Sequence, residues 1–173
     1  MEKSVIKGGV KGLVTLAMLM ALSIVLGKFL NIPIGDSIRI SFENLPLILA
    51  GILFGPVAGM ITAVCADLLG CFLRGYAIIP LITVAAGIIG ILSGLTRKLV
   101  KGNSYLRILL ITIVPHIAGS IILKSIALHY TYGQPWQVLA LRVPVYICTA
   151  LAEAFVIYTF YRKNLMKYLG GKS

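Results

Sequence analysis

The chain has 173 residues, of which 59% are hydrophobic and only 12% are charged, and its mean hydropathy is +1.00. Soluble domains carry about 25% charged residues, and a water-soluble globule of this length would have no way to cover so much apolar surface. This composition excludes a soluble enzyme, a disordered chain and a secreted disulfide scaffold, and it predicts an all-α integral membrane protein.

The first apolar run, residues 12–30, follows three lysines and begins like a secretory signal peptide. Lys28 and Phe29 stand where a cleavage site would need small residues, so we predict an uncleaved first membrane helix. Residues 31–44 are rich in Pro, Gly, Asp and Ser, and their second half alternates apolar and polar residues. This stretch is predicted to be a loop that is partly extended.

Five further spans follow, which makes six transmembrane helices in all. Asn44 is suited to cap a short second span, with Pro46 in its first turn, and Gly55 and Pro56 separate that span from the third. A kink is expected at Pro115 in the fifth span. The predicted spans after the first are 45–54, 56–72, 77–96, 106–128 and 136–161. We interpret residues 1–173 as one membrane-embedded substrate-binding domain.

The distribution of the cations predicts the orientation of these spans. Six spans place both termini on one side, where eleven of the 16 lysines and arginines lie, against five on the other side. Both termini are therefore expected in the cytoplasm, since cations favour that side of the membrane. The net charge of +11 does not indicate nucleic-acid binding, because no basic face with interleaved aromatic residues is present.

The cysteines and histidines do not predict a metal site or a disulfide framework. Cys65, Cys71 and Cys148 lie inside apolar runs without a CxxC motif, where reduced thiols behave as small apolar residues. The two histidines are too few to favour metal binding. His116 lies at a similar depth to Glu153 on the neighbouring span, and the two are expected either to pair structurally or to form a proton relay.

The five cations on the minority side are the strongest candidates for a binding site. Snorkelling to the lipid headgroups accounts for Lys28 and Lys124, but less well for Arg142 and Asp67, which lie further inside their helices. A charge within the membrane is costly unless it is paired or faces a cavity. A cavity lined by these cations would bind an anionic solute, and arginine suits carboxylates. The five cations are Lys28, Arg39, Arg74, Lys124 and Arg142.

Aromatic residues gather at the same level of the membrane. They fit an interfacial belt, or alternatively a stacking wall for a flat heteroaromatic ligand. In the second interpretation Asp67 would accept adjacent N–H groups of the ring. The aromatic residues are Phe42, Phe72, Tyr76, Tyr130, Tyr132, Trp136 and Tyr146.

Small residues recur four positions apart, which places them on one helix face and allows close packing. Glycines at 51, 55 and 59, and at 90 and 94, are expected to pack internally. Ala17 and Ala21 form a similar pair on the first span, and from the residues alone internal packing is again the simplest interpretation.

Six short spans, basic inner ends and the Ala17–Ala21 pair together resemble the substrate-binding S components of energy-coupling factor (ECF) vitamin transporters. The sequence RISFENLPLILAG at 39–51, LFGPVAG at 53–59 and ADLLG at 66–70 are most similar to the folate-specific members. The similarity of topology covers the whole chain, whereas the specific motif covers about 39–70.

The resemblance implies a high-affinity folate-binding subunit that takes the vitamin at the outer face in a pocket covered by the first and third loops. It would deliver the vitamin inward by docking on a membrane T component with two ATPase subunits, and Ala17 and Ala21 match the family's docking pair. The chain lacks a phosphate-binding loop motif, so ATP hydrolysis is expected on the partners. No cofactor is expected besides the ligand folate.

Folate agrees with the candidate residues, because its pterin presents N–H donors and its glutamate tail carries two carboxylates. Arg39, Arg74, Lys124 and Arg142 are predicted near the tail, since burying a carboxylate without a partner is prohibitive. The other predicted ligand-binding residues are Asp67 and Trp136, near the pterin, and the aromatic residues Phe42 and Tyr76.

Other functions remain open at this point. An S component for riboflavin, thiamine or pantothenate would have the same architecture, and a secondary transporter would need no ATPase. An intramembrane enzyme would need a nucleophile–base set or a metal motif such as HExxH, neither of which is present.

Overall fold

The computed structural model describes residues 9–34, 38–100 and 104–163, with the backbone alone at 33–34 and 38–39. Helix α1, Gly9–Ile24, continues into a π-helical turn, Val25–Phe29. Two short strands follow, β1 (Ile32–Ile34) and β2 (Ile38–Ile40), which pair antiparallel with Pro33 opposite Arg39. The first loop is thus partly extended, as the alternation in its sequence predicted.

The next three helices begin or end at glycine and proline. Helix α2 spans Asn44–Phe54 and α3 spans Pro56–Arg74, separated by Gly55 at a φ of 96°, which favours glycine. Helix α4, Pro80–Leu99, begins on a proline, whose missing N–H is not needed at that position. It starts three residues later than the predicted fourth span and ends three residues later, because Arg97 and Lys98 still belong to its last turn.

The last two helical runs are longer than a membrane crossing needs. Helix α5, Tyr105–Pro115, continues through a π-helical segment, His116–Leu123, into α6, Lys124–Tyr132. The π segment begins directly after Pro115, which has no N–H to donate to the preceding turn. Helix α7, Trp136–Ala140, is followed after one residue by α8, Arg142–Arg162.

Five helical runs are long and apolar enough to cross a membrane, and each coincides with a predicted span. They are Gly9–Phe29, Pro56–Arg74, Pro80–Leu99, Tyr105–Tyr132 and Trp136–Arg162. The remaining span corresponds to the shorter α2. The described chain is helical apart from β1 and β2, which confirms the all-α membrane fold.

Helices α2, α3 and α4 pack through glycines at the centre of the fold. A Cβ built on Gly59 would lie 2.6 Å from the carbonyl oxygen of Gly90, and one on Gly94 would lie 2.5 Å from the nitrogen of Pro56. The expected internal packing is confirmed for Gly51, Gly59, Gly90 and Gly94, whereas a Cβ on Gly55 would meet no atom within 4 Å. Around them Ile48, Ile89 and other fully buried side chains form the core, against which α5 and α8 pack as a pair.

At one end of the bundle the fold brings together residues that are far apart in sequence. The π-helical turn after α1, the last turn of α3, the first turns of α4 and α8, and helix α6 all reach this end. The first turns of α1 and the last turns of α8 lie at the opposite end.

Candidate functional site

A cavity of about 420 Å³ opens at this end of the bundle, and five charged side chains and three tyrosines line it. Pockets for vitamin-sized ligands typically enclose about 300–1,000 Å³. Five of the elements described above contribute to its walls. The lining residues are Gly27, Lys28, Ser41, Glu43, Asp67, Cys71, Tyr76, Ala77, Ile79, Ile82, Lys124, Leu128, Tyr132, Gln134, Arg142 and Tyr146.

The first charged pair in the cavity joins Glu43 to Lys124. The Nζ atom of Lys124 donates to Oε1 of Glu43 at 2.5 Å. Because this ammonium lies so close, it lowers the pKa of the Glu43 carboxyl from 4.5 to about 2, with burial opposing the shift and Lys28 assisting it. Glu43 is thus ionised at physiological pH, and each charge of the pair is neutralised by the other.

The second charged pair joins Lys28 to Asp67. The Nζ atom of Lys28 lies 3.6 Å from Oδ1 of Asp67 and 3.6 Å from the Sγ atom of Cys71. The other carboxylate oxygen of Asp67 accepts a hydrogen bond of 2.8 Å from the Thr83 hydroxyl. Asp67 of α3 is therefore held by Thr83 of α4 and by Lys28 at the end of the first helical run, and its carboxylate lies in the cavity wall.

Arg142 is the third cation of the cavity and forms no ion pair with a described carboxylate, although its charge helps to lower the pKa of the Glu43 carboxyl. Its side chain is 4% exposed, and none of the ion pairs between described residues includes it. The Nη2 atom donates to the hydroxyl of Tyr146 at 3.0 Å, and the guanidinium lies 5.1 Å from the centre of that ring. The buried Nε atom has no hydrogen-bond partner. A buried cation with an unused donor is costly, and an anion entering the cavity would satisfy it.

The structure brings four of the predicted ligand-binding residues together on the cavity: Asp67, Tyr76, Lys124 and Arg142. The sequence analysis did not select Glu43, and it left Lys28, one of the five candidate cations, out of the predicted ligand-binding residues because snorkelling to the headgroups also accounted for it; both residues line the cavity. The alternation of apolar and polar residues at 40–43 carried a signal for Glu43, since Ser41 and Glu43, which flank Phe42, both reach the cavity.

The other predicted residues lie outside this cavity. Arg74 is exposed at the rim, with its guanidinium 5.1 Å from the ring centre of Phe29 and 5.7 Å from that of Tyr76. Trp136 is 52% exposed, and its ring stacks on His129 at 4.4 Å. Phe42 is exposed, although its neighbours Ser41 and Glu43 line the cavity. The side chain of Arg39, on β2, lies outside the described part of the structure.

A second polar cluster lies deeper in the bundle and is fully buried. The Nε2 atom of His116 lies 3.4 Å from Oε2 of Glu153, which confirms the expected pairing. The Nδ1 atom of His116 lies 3.0 Å from the carbonyl oxygen of Thr112 and must therefore carry a proton. Asn44 contacts both His116, at 3.3 Å, and Ser120, at 3.1 Å. The cluster joins α2, the π segment and α8 without reaching the cavity.

Ala17 and Ala21 both lie on the exposed face of α1, together with Met18 and Leu22. The opposite face of the helix buries Leu16, Leu19 and other residues against the core. The alanine pair therefore does not pack against another helix of the described chain. Among the described ranges, no group of His, Cys, Asp and Glu has the arrangement of a metal site.

Comparisons with known proteins agree with this architecture. Residues 11–170 match the family model described as the substrate-specific component of ECF transporters. A crystal structure of FolT bound with folic acid is similar to this chain with a TM-score of 0.73 and 26% identity, covering 91% of this chain and 98% of that one. A structure of the S component of a bacterial ECF transporter is similar with a TM-score of 0.65 and 27% identity, covering 92% and 97%. No curated protein sequence matches.

Proposed function

The chain belongs to the family of substrate-specific components of ECF transporters, and from this we propose that it is the high-affinity folate-binding subunit of an ATP-driven vitamin uptake system. It is a transport subunit, and its 173 residues form one membrane-embedded binding domain. Folate or a reduced folate would enter the cavity from outside the cell.

The proposal depends mainly on the position of Arg142. Its buried guanidinium lines the cavity without an ion pair to a described carboxylate, and the described lining has three cations against two carboxylates. The glutamate tail of folate supplies carboxylates, and arginine binds carboxylates through two parallel hydrogen bonds. The similar structure with bound folic acid supports the same ligand for this chain.

The opposite wall of the cavity has the chemistry that a pterin requires. The carboxylate of Asp67 accepts N–H donors, and Thr83 and Lys28 hold it in place. The ring of Tyr76 borders the same wall and offers a surface on which a flat heterocycle stacks. In this arrangement Trp136 and Phe42 would contact the ligand only after the outer loops move over the cavity.

The cavity lies at the end of the bundle opposite the first turns of α1 and the last turns of α8. With both termini in the cytoplasm of a multi-pass plasma-membrane protein, as the excess of cations on that side favours, the cavity faces outward. Calorimetric titration of the purified chain tests the ligand. Folate should bind one to one without any ATPase, whereas riboflavin, thiamine and pantothenate should not bind.

The outcomes of this titration separate the alternatives. Binding of another vitamin in place of folate would retain the transporter architecture and refute the folate assignment. A chain that binds none of the four, yet takes up solute when reconstituted alone with an ion gradient, would be a secondary transporter.

The exposed face of α1 is proposed to dock on the T component, which is joined to two ATPase subunits. Ala17 and Ala21 leave a shallow, apolar surface there that another helix is able to approach closely. The substitution Ala21→Leu should abolish copurification with the coexpressed partners while leaving folate affinity within about twofold. Ala152→Leu on the exposed face of α8 is the matched control and should retain the complex. Loss of the complex in both variants, or in neither, would contradict this docking face.

A further inference from the structure

The cavity contains three cations and two carboxylates among its described lining residues. Lys124 is paired with Glu43 and Lys28 with Asp67, whereas Arg142 forms no ion pair with any residue that the structure describes. The lining therefore neutralises two of its own cations before any ligand enters. A ligand with two carboxylates finds one buried cation available in this part of the site.

Glu43 is fixed from several sides, so its carboxylate is not free to leave Lys124 easily. Its backbone carbonyl accepts a hydrogen bond of 2.8 Å from the hydroxyl of Ser23. A Cβ built on Gly27 would lie 2.5 Å from Oε2 of Glu43, so glycine at this position gives the carboxylate its room. The next residue, Asn44, is hydrogen-bonded in the core to Ser120.

Lys124 is held to the same arrangement by its position on the helix. His116, Ser120 and Lys124 follow one another at intervals of four residues and so lie on one helix face. Asn44 contacts His116 and Ser120, and Glu43 contacts Lys124. Residues 43 and 44 are therefore both bonded to this helix face. The pairing of Glu43 with Lys124 thus belongs to a set of side-chain contacts that joins the start of α2 to the π segment and α6.

We propose that Glu43 is a specificity-determining residue: it occupies Lys124 and so limits the cavity to one ligand carboxylate, which pairs with Arg142. The proposal rests on folate being the ligand and assigns each of its two carboxylates a position. One carboxylate of the glutamate tail is bound in the cavity, and the other stays at the rim, where Arg74 is exposed.

The experiment compares folate with two analogues in which one of the two tail carboxylates is replaced by an uncharged amide, measured by calorimetry on the purified chain. Pteroylglutamine carries an amide at the γ position, and pteroylisoglutamine carries one at the α position. One amide should bind within about threefold of folate, and the other about 30-fold more weakly, because it loses a charged hydrogen-bonded pair with Arg142. A loss of about 30-fold for both amides would mean that two carboxylates are bound, and no loss for either would mean that none is. Each of these results would overturn the proposal.

The variant Glu43→Gln frees Lys124 and tests the role of Glu43 directly. The preference for folate over the tolerated amide should rise from at most about threefold to at least about tenfold, because Lys124 then pairs with the second carboxylate. Adding Lys124→Met should return the preference to the wild-type value. An unchanged preference in Glu43→Gln, or a raised one that persists in the double variant, would refute the role of Glu43. Should Glu43→Gln fail to fold, the amide series on the wild-type chain decides.

Failure of this proposal is distinguishable from failure of the proposed function. If folate binds tightly and the two amides bind equally well or equally poorly, the folate function stands and the proposal that the cavity binds one carboxylate is refuted. A chain that does not bind folate would overturn both.

Discussion

Replacing Arg142 with methionine removes the unpaired guanidinium from the cavity while keeping a side chain of similar length. This guanidinium is 4% exposed, has an unsatisfied Nε atom and forms an ion pair with no carboxylate of the described chain. The substitution therefore removes a buried charge that no ion pair compensates, and Glu43, whose pKa Arg142 helps to lower, keeps Lys124 as its partner. Arg142→Met should unfold at the same temperature as the wild type or at a higher one.

Ligand binding should respond in the opposite direction. Truncating one member of a buried, hydrogen-bonded charge pair costs about 2–5 kcal/mol of binding free energy, or roughly 30-fold to several thousandfold in affinity. Arg74→Met is the matched control, because Arg74 is exposed at the rim, where an ion pair contributes about 0–1 kcal/mol, or at most roughly fivefold. Calorimetry measures the affinities, and thermal unfolding in detergent with and without folate measures both stabilities.

Two results would refute this reasoning. Equal losses of affinity in Arg142→Met and Arg74→Met would show that burial of the guanidinium does not determine its role. A melting temperature of empty Arg142→Met well below that of the wild type would show that Arg142 has a structural partner and is not held ready for the ligand.

Three further predictions concern stability and pH. Gly59→Ala should lower stability by about 1–3 kcal/mol, because its Cβ would lie 2.6 Å from a carbonyl oxygen of α4, whereas Val57→Ala on the exposed face of α3 should change it by less than about 0.5 kcal/mol. Because Lys124 lowers the pKa of Glu43 from 4.5 to about 2, their pair stabilises the fold fully above pH 4.5 and loses this effect as the pH falls towards 2. The difference in melting temperature between the wild type and Glu43→Gln should thus be constant from pH 8 to 5 and shrink below pH 4.5; a change between pH 8 and 5 would contradict it. His116→Leu should lower the melting temperature, because the buried side-chain amide of Asn44 loses a hydrogen-bond partner, and uptake by the proposed transporter should not respond to a proton gradient if the contact between His116 and Glu153 is structural.

The helices were predictable because a membrane span is a local property of the sequence. A run of apolar residues near the required length specifies a helix, and prolines and glycines mark its ends, as at Gly55 and Pro56. The glycines four apart also specified packing, because only a residue without a Cβ fits where α3 and α4 touch. The π segment after Pro115 was not predicted, since it depends on how the freed carbonyls of that turn are accommodated.

The pairing of charges was not predictable from position along the chain. Lys28 at the end of a span has the same sequence context whether it reaches the headgroups or an acid on another helix, and the structure brings it to Asp67. Glu43 and Lys124 are separated by 81 positions, and only the tertiary fold brings them together. The sequence identified which residues were costly in a membrane, but their partners followed from tertiary structure.

These pairings also explain why a ligand would complete the outer end of the fold. The Lys28–Asp67 pair joins the end of the first helical run to α3, and the Glu43–Lys124 pair joins the segment before α2 to α6. No such pair joins Arg142 of α8 to the other walls among the described residues. A ligand anion held between Arg142 and the rest of the cavity would add the missing link. Because such a ligand binds the folded state alone, its stabilisation grows with the logarithm of its concentration above Kd, reaching about 2.7 kcal/mol at 100 times Kd. In Arg142→Met the same ratio of concentration to Kd requires correspondingly more folate, so the loss of affinity and the loss of ligand-induced stability should agree quantitatively.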